Sequence, residues 1–412
     1  MPNIVPIQTI IAKRMLSRLQ NKLPMTTYAN KDFQADLANR ERRDGGIINI
    51  TKPPLFDVRS GEVMEVQSTV IPAISTNLNM FGVDISASQL DLQISYDAVE
   101  QGMIDGVLDG AAAALAAKVE SDGFNLALKV ANVVGTPGTA VTDPGVLATA
   151  GALITSNGGL IGSNTRIGLL NSFQNANFAT GVKNYFNPTG VVSKAYADGR
   201  LGEGYGFDLY DEPVASTFTS GTYGGTPLVN GSLLGGGNVI VTDAWTAASF
   251  LNVGDTFTIA GVFNRNPQSK ASTGNLKPFV VAALSTADGS GNMTITIGED
   301  GIIASGPRQN VVITAAAGAD NSPLTVTSGA SNTTSKQSLV YDKNAFTFAM
   351  VPLAKVPTNL GVESTVVNDK MSGLSISMKE FYDGRTNQRM VRFDVLYAWL
   401  ETYPQIAARI LG

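Results

Sequence analysis

From Gly221 to about Ser335 the composition turns to Gly, Thr, Ser and Asn, and six short β-forming runs lie inside that stretch: "NVIVT", "TFTIA", "FVVAALS", "MTITI", "VVITA" and "LTVTS". Turn residues such as "DGSGN" separate them, the spacing of a small all-β unit. Met293, Ile295 and Ile297 alternate with Thr294 and Thr296, the period of two that marks a half-buried strand. Six such strands predict a small independent barrel or sandwich. Within it, "VGDTFTIAGVFNRNPQSKASTGNLKPFVV" (residues 253–281) holds two β runs around a long polar loop and no residue of catalytic type. Charge is sparse, four basic against six acidic residues from 221 to 335, which excludes a nucleic-acid module of the basic oligonucleotide-barrel kind.

The flanking text reads differently. After the β stretch, "NAFTFAMVPLAKVP" and "GLSISMKEFYDGRTNQRMVRFDVLYAWLETYP" predict longer sheet strands, and "PQIAARIL" reads as a closing helical turn begun by Pro404. The β unit therefore interrupts a domain that resumes. Before it, Ser95 to about Val133 is rich in Ala and Leu without proline and predicts the longest helix. On that helix Gly102, Gly106 and Gly110 fall four apart on one face, a spacing that suits close approach of another backbone or simple tolerance near a helix start. "GRLGEGYGFDLYDEP" lacks the spacing and the preceding strand of a dinucleotide fingerprint and reads as a mobile loop, with Asp211 and Glu212 solvated in it.

Toward the N-terminus, Ile7, Ile11, Met15 and Leu19 form one apolar stripe, while Lys13, Arg14, Arg18 and Lys22 fall mostly elsewhere, with Pro24 as the expected stop. Such a helix must dock, on its own domain or on another chain, because isolated helices of this length are marginal in water. Residues 1–43 hold eight Lys/Arg and three Asp/Glu, a local +5, so with a formal net charge of -5 the remainder carries about -10 by subtraction. Two surfaces facing different partners follow, or an ordinary solvated helix face. Residues 45–75 read as a hairpin with Pro53, Pro54 and Ser60-Gly61 as punctuation. Its middle carries Asp57, Arg59, Glu62 and Glu65, and a two-stranded hairpin this polar needs another surface to steady it.

His and Cys are both absent, which removes disulfides, thiol nucleophiles, imidazole bases and zinc sites built from them. No apolar run reaches the ~18 residues of a membrane span and no secretion signal is evident, so the expectation is a soluble protein with no membrane partner. Carboxylate chemistry is the enzymatic alternative, a glycosidase resting on Asp211-Glu212 or Glu299-Asp300. Adjacent residues rarely flank a substrate at the ~5–9.5 Å that reaction needs. Asp288, Asn292, Glu299 and Asp300 are a chance calcium set at most, and no cofactor is expected.

Laid end to end, the chain resembles the major capsid proteins of tailed bacteriophages, in the coat-protein subgroup of short-tailed Salmonella phages with an inserted β domain. "VGDTFTIAGV", preceded by "VTDAWTAASFL" and followed by "FVVAAL", carries the strongest likeness; "GFDLYDEPVAST", "NAFTFAMVPL" and "RFDVLYAWLETYPQIAARI" support it. The resemblance implies an α+β fold of the tailed-phage major capsid kind. Its parts would be an N-terminal arm (1–44), an extended hairpin loop (45–75), a peripheral domain with a spine helix (76–133, the helix near 97–133) and an axial domain (134–220). An inserted β domain (221–335), the axial domain continued (336–375) and a peripheral return (376–412) would follow. It further implies hexamers and pentamers of an icosahedral shell around double-stranded DNA, assembled in the bacterial host cytoplasm with a scaffolding protein and with a portal protein at one vertex. Asp57, Arg59, Glu62, Glu65 and the three glycines are then the expected subunit contacts, the basic arm the inner face, and Lys52 a candidate crosslinking amine. A tail or receptor-binding structural protein is the neighbouring alternative, since Gly/Thr-rich strands suit it equally.

Overall fold

A computed structural model describes the chain except residues 1–6, 21–22, 32–44, 53–55, 57, 59, 65, 67–72, 89–104, 160–165, 182–201, 299–300, 358–360, 370–372 and 386–387. It is an α+β structure with many strands and few helices among the described residues, divided into two compact units. One unit is formed by residues 1–52, 73–123 and 346–400, the other by 53–72, 124–345 and 401–412.

The first unit is built on a sheet in which the long strand Gln388–Glu401 pairs with Leu374–Asp383, Phe346–Met350 and Asn79–Ser88, while Glu363–Asp369 extends it beyond Leu374–Asp383. The helix Asp105–Phe124 packs by Val119, whose carbonyl accepts from Trp399 Nε1 at 3.0 Å, and by Asp122, which accepts from Tyr397 OH at 2.7 Å. Gly123 permits that approach, because a Cβ there would sit 2.7 Å from the Trp399 ring. The helix expected to reach Val133 ends at Phe124, where a 3-10 turn, Asn125–Lys129, takes over. Alanine propensity favours continuation, but it is a weak preference that tertiary packing overrides. The helix Ile7–Gln20 lays Ala12, Met15, Leu16 and Leu19 on the strands Glu363–Asp369 and Leu374–Asp383. The N-terminal stripe is thus satisfied on its own chain. Pro24 does not merely stop that helix; it opens a second, Pro24–Tyr28, in the first-turn position where its missing N–H costs nothing.

The second unit holds a seven-stranded sheet in the order Val133–Val134, Ala407–Leu411, Thr334–Asp342, Arg166–Leu170, Phe207–Asp211 and Glu203–Gly204, with Thr217–Thr219 also pairing with Thr334–Asp342. Two expectations change here. The helical turn begun by Pro404 covers only Pro404–Ile406; Ala407–Leu411 is a fully buried strand between two neighbours. The glycine-rich stretch is not a mobile loop but a tight hairpin, with Gly202, Tyr205 and Gly206 at positive φ, feeding Phe207–Asp211 into the sheet parallel to Arg166–Leu170. Glu212 is correspondingly buried rather than solvated, its N–H donating to Leu170 O, while Asp211 is exposed.

Five of the six predicted β runs are strands, Val239–Trp245, Thr256–Arg265, Met293–Thr296, Val311–Ile313 and Leu324–Val326; of "FVVAALS" only Phe279 and Val280 lie in the strand Ser272–Val280, which begins within the stretch expected as a polar loop. They form short sheets, linked by isolated bridges such as Leu228↔Pro323 and Val281↔Ile297, around one core that includes Ile240, Trp245, Phe257, Phe279 and Ile295. Burying each large apolar side chain contributes about 1.5–3 kcal/mol. Gly261, at φ +77, sits where the strand Thr256–Arg265 shifts register, and a Cβ there would meet Ala315 Cβ at 2.6 Å. Before the shift the strand pairs with Leu324–Val326, after it with Val311–Ile313.

Candidate functional site: assembly surfaces and the seat of the β insert

The strands Ile47–Thr51 and Ala73–Asn77 pair antiparallel, Ile47 with Asn77, and bury Ile48, Ile50 and Ile74 in a cluster with Leu396, Ala398 and Leu400. Between them the chain projects a set of apolar side chains into solvent: Phe56, Val58, Val63, Met64 and Val66, with Val58 99% and Val66 82% exposed. An exposed apolar group of this density on one loop is unusual for a surface that ends at water. Sequence reading singled out the loop's charges and overlooked these residues, although "FDVRSGEVMEV" shows apolar and charged residues alternating. Of the charges, Glu62 is exposed, and Asp57, Arg59 and Glu65 lie outside the described residues. Lys52, at the loop's base, is buried.

On the helix Asp105–Phe124, Gly110 is exposed and no other atom lies within 4 Å of where its Cβ would be. Gly106 lies in the helix and Gly102 outside the described residues. Among the described residues no backbone outside the helix fills the space at Gly110. Of the basic arm, Lys13 is exposed, Arg14 and Arg18 are half-buried, and Arg18 Nε lies 2.7 Å from Asp109 Oδ1; Lys22 is outside the described residues. The arm is anchored further on. Glu120 Oε2 accepts from Met25 N at 2.8 Å, and Oε1 accepts from Thr26 N at 3.1 Å and Thr26 Oγ1 at 2.8 Å, so one buried carboxylate takes the first-turn amides of Pro24–Tyr28.

The β insert meets the seven-stranded sheet at a polar root. Its incoming and outgoing chains pair: Thr217–Thr219 lies against Thr334–Lys336, Ser220 N donates to Thr333 O, and Asn332 N donates to Gly221 O. Asp255, fully buried, binds both sides of the root. Its Oδ2 accepts from Gly221 N at 2.9 Å and Asn252 N at 2.7 Å, and its Oδ1 accepts from Ser328 Oγ at 2.7 Å. Burial pushes its carboxyl above the ordinary carboxylate range, while these hydrogen bonds and the charge of Arg409 pull the other way. Arg409, in the strand Ala407–Leu411, is also fully buried, donates Nη2 to Gly254 O at 2.6 Å and lies over the Phe218 ring at 5.2 Å. Burial draws its pKa down to about 10, opposed by Asp255.

The polar loop of residues 264–271 has a seat of its own. Asn264 Nδ2 donates to Asn157 Oδ1, and Asn266 Nδ2 donates to Ser156 O at 2.7 Å. Asn266 thereby satisfies a carbonyl at the end of the helix Gly145–Ser156, whose last carbonyls have no partner within the helix, and Asn264 bonds the side chain just beyond it. Neither Asp255 nor Arg409 was singled out from sequence. The signal available was the scarcity of charge in the insert, which makes a carboxylate beside an apolar run conspicuous.

The enzymatic alternative rests on two carboxylate pairs. Asp211 and Glu212 sit on a strand end, one exposed and one buried, and Glu299 and Asp300 lie outside the described residues. Asp288 accepts from Asn292 N, Asn292 Nδ2 and Ser290 N, which hold its carboxyl below the usual range and occupy its oxygens within one turn. Among the described residues no acidic cluster suits a metal ion, and no helix is long and apolar enough to cross a membrane.

Residues 237–412 match the family model described as P22 coat protein, gene protein 5. No curated protein matches the chain. Solved structures with likeness include "Mycobacterium phage Che8" (9% identity, 93% of this chain and 89% of that one, TM-score 0.40). "Asymmetric unit of bacteriophage PhiM1 mature capsid" (9%, 93% and 87%, TM-score 0.40) and "Capsid of empty GTA particle computed with C5 symmetry" (11%, 94% and 90%, TM-score 0.40) are similar in degree. Likeness at that level decides nothing by itself. The family match runs through most of the β insert and everything after it, the last 176 of the 412 residues by subtraction, and that part of the chain is similar to the coat protein.

Proposed function

We propose that this chain is a tailed-phage major capsid protein that tiles an icosahedral shell as hexamers and pentamers around packaged double-stranded DNA, assembling in the host cytoplasm with a scaffolding protein and a portal at one vertex. The P22 coat-protein match over residues 237–412 carries the reading. Physical support comes from surfaces that look unfinished on one chain, above all the apolar loop of residues 56–66. A neighbouring copy is the occupant that suits it, because copies supply the same loop and the same receiving surface around a ring, and heterologous contacts of this kind close into rings. The bare face at Gly110 is a second such contact, with exposed Glu62 beside the apolar loop residues as a polar one. In this reading residues 45–75 are the extended loop, 221–335 the inserted domain, and 134–220 with 336–375 the axial domain. Lys13, Arg14 and Lys22 face scaffold or DNA, with Arg18 committed to Asp109.

Negative-stain images of the purified protein, with and without a scaffolding protein, test this. Closed particles or large rings are expected. Val58→Asp with Val66→Asp removes them while leaving a folded, monomeric chain; a wild-type chain that stays monomeric under every assembly condition overturns the reading.

A further inference from the structure

The β insert surrounds a core of its own, and nothing in that core fixes how the insert is turned on the sheet of its unit. Polar contacts at two places do. At the root, Arg409 reaches from the sheet to the Gly254 carbonyl and lies over Phe218, and Asp255 gathers Gly221, Asn252 and Ser328. At the other end of the same strand, Asn264 and Asn266 bond to Asn157 and Ser156. Gly254 and Asp255 immediately precede the strand Thr256–Arg265, and Asn264 lies near its end. The register shift at Gly261 lies between them, so the two sets of contacts are separate points on the insert. One contact point leaves a body free to swivel; two separate points oppose the rotation.

We infer that Arg409 is a latch that holds the β insert in one orientation on the seven-stranded sheet, so that insert and sheet move as one body. An arginine is the side chain suited to such a latch, since a guanidinium donates in a fixed plane to the Gly254 carbonyl while its face rests on an aromatic ring, which an ammonium cannot reproduce. Gly254, at φ +93, brings that carbonyl close, since a Cβ there would meet Leu128 Cδ2 at 2.9 Å. Arg409 and Asp255 are both buried, and the charge of each favours the charged form of the other, for Asp255 less than its own hydrogen bonds do. The consequence for shell building, that subunit shape changes arise elsewhere than at the insert root, rests on the capsid reading; the latch itself does not.

The chain has no cysteine, so spin labels can be placed at will. Ala148→Cys on the helix Gly145–Ser156 and Leu284→Cys on the insert, both exposed positions, give one distance across the seat in the full, unassembled chain. A narrow distance distribution is expected, and Arg409→Met should at least double its width while hydrogen exchange in Val239–Trp245 and Met293–Thr296 stays unchanged. An unchanged width overturns the latch. So does accelerated exchange in those strands, which would make Arg409 part of the insert's own fold. Should Arg409→Met not yield soluble chain, Asn264→Ala with Asn266→Ala breaks the second set of contacts from the insert side and is read in the same way. The measurement needs no shell, so its failure and a failure to assemble are separate results.

Discussion

Glu120→Gln tests the anchor of the N-terminal arm. Glu120 is buried and accepts three hydrogen bonds, one at Oε2 from Met25 N and two at Oε1 from Thr26 N and Oγ1. A glutamine keeps one acceptor oxygen. Its amide nitrogen must then face either the Met25 N–H or both donors of Thr26, so at least one charge-assisted bond is replaced by two donors pointing at each other. Hydrogen bonds to charged groups contribute about 1.5–3 kcal/mol, and a stranded buried donor costs about 1–3 kcal/mol, so the loss should be ~2–4 kcal/mol. Thr26→Val removes only the hydroxyl and should cost about 1–2 kcal/mol. Trp399 reports on the same unit, because its indole N–H donates to the carbonyl of Val119, one residue from the anchor. Urea unfolding followed by Trp399 emission in a Trp245→Phe background reads the stability, and trypsin reads the arm through Lys13, Arg14 and Arg18. Cleavage there should rise in Glu120→Gln. A midpoint change under ~0.5 kcal/mol with unchanged cleavage refutes the anchor.

Asp255→Asn should destabilise the insert, since its oxygen can still accept from Gly221 N and Asn252 N and its amide can donate to Ser328 Oγ but the bonds lose their charge; urea unfolding followed by Trp245 emission should show a loss of ~1–3 kcal/mol. The pH dependence has a definite sign. Burial raises the native pKa of Asp255 above its unfolded value, so the native state binds the proton more tightly, and this contribution grows as pH falls through the raised pKa toward the unfolded one. Wild type should therefore gain on Asp255→Asn during acidification across that window, and a constant or shrinking difference contradicts it. Gly261→Val places a side chain at φ +77 against Ala315 and should lower the thermal midpoint of the insert by several degrees, whereas Gly110→Ala, in open space, should leave thermal stability unchanged or slightly raised.

The insert was readable because its strands obey local rules: Met293 and Ile295 point inward and Thr294 outward whatever the rest of the chain does. The two hairpin strands at 47–51 and 73–77 were readable for the same reason. Readings failed where neighbours decide. Ala407–Leu411 is alanine-rich enough to pass for a helix, and it is a strand because Val133–Val134 and Thr334–Asp342 offer open edges on either side. Gly202 and Gly206 looked like slack, yet their positive φ values make the turn that feeds a buried strand.

By itself the sequence determined that this protein carries a charge-poor all-β unit within an α+β chain, with a basic amphipathic segment near the N-terminus and no histidine or cysteine chemistry, because alternation, composition and charge are properties of neighbouring residues. The tertiary structure alone decided which charges matter. Asp255 and Arg409 lie 154 positions apart, by subtraction of their numbers, and only folding removes both from water and brings their charges close enough to act on each other.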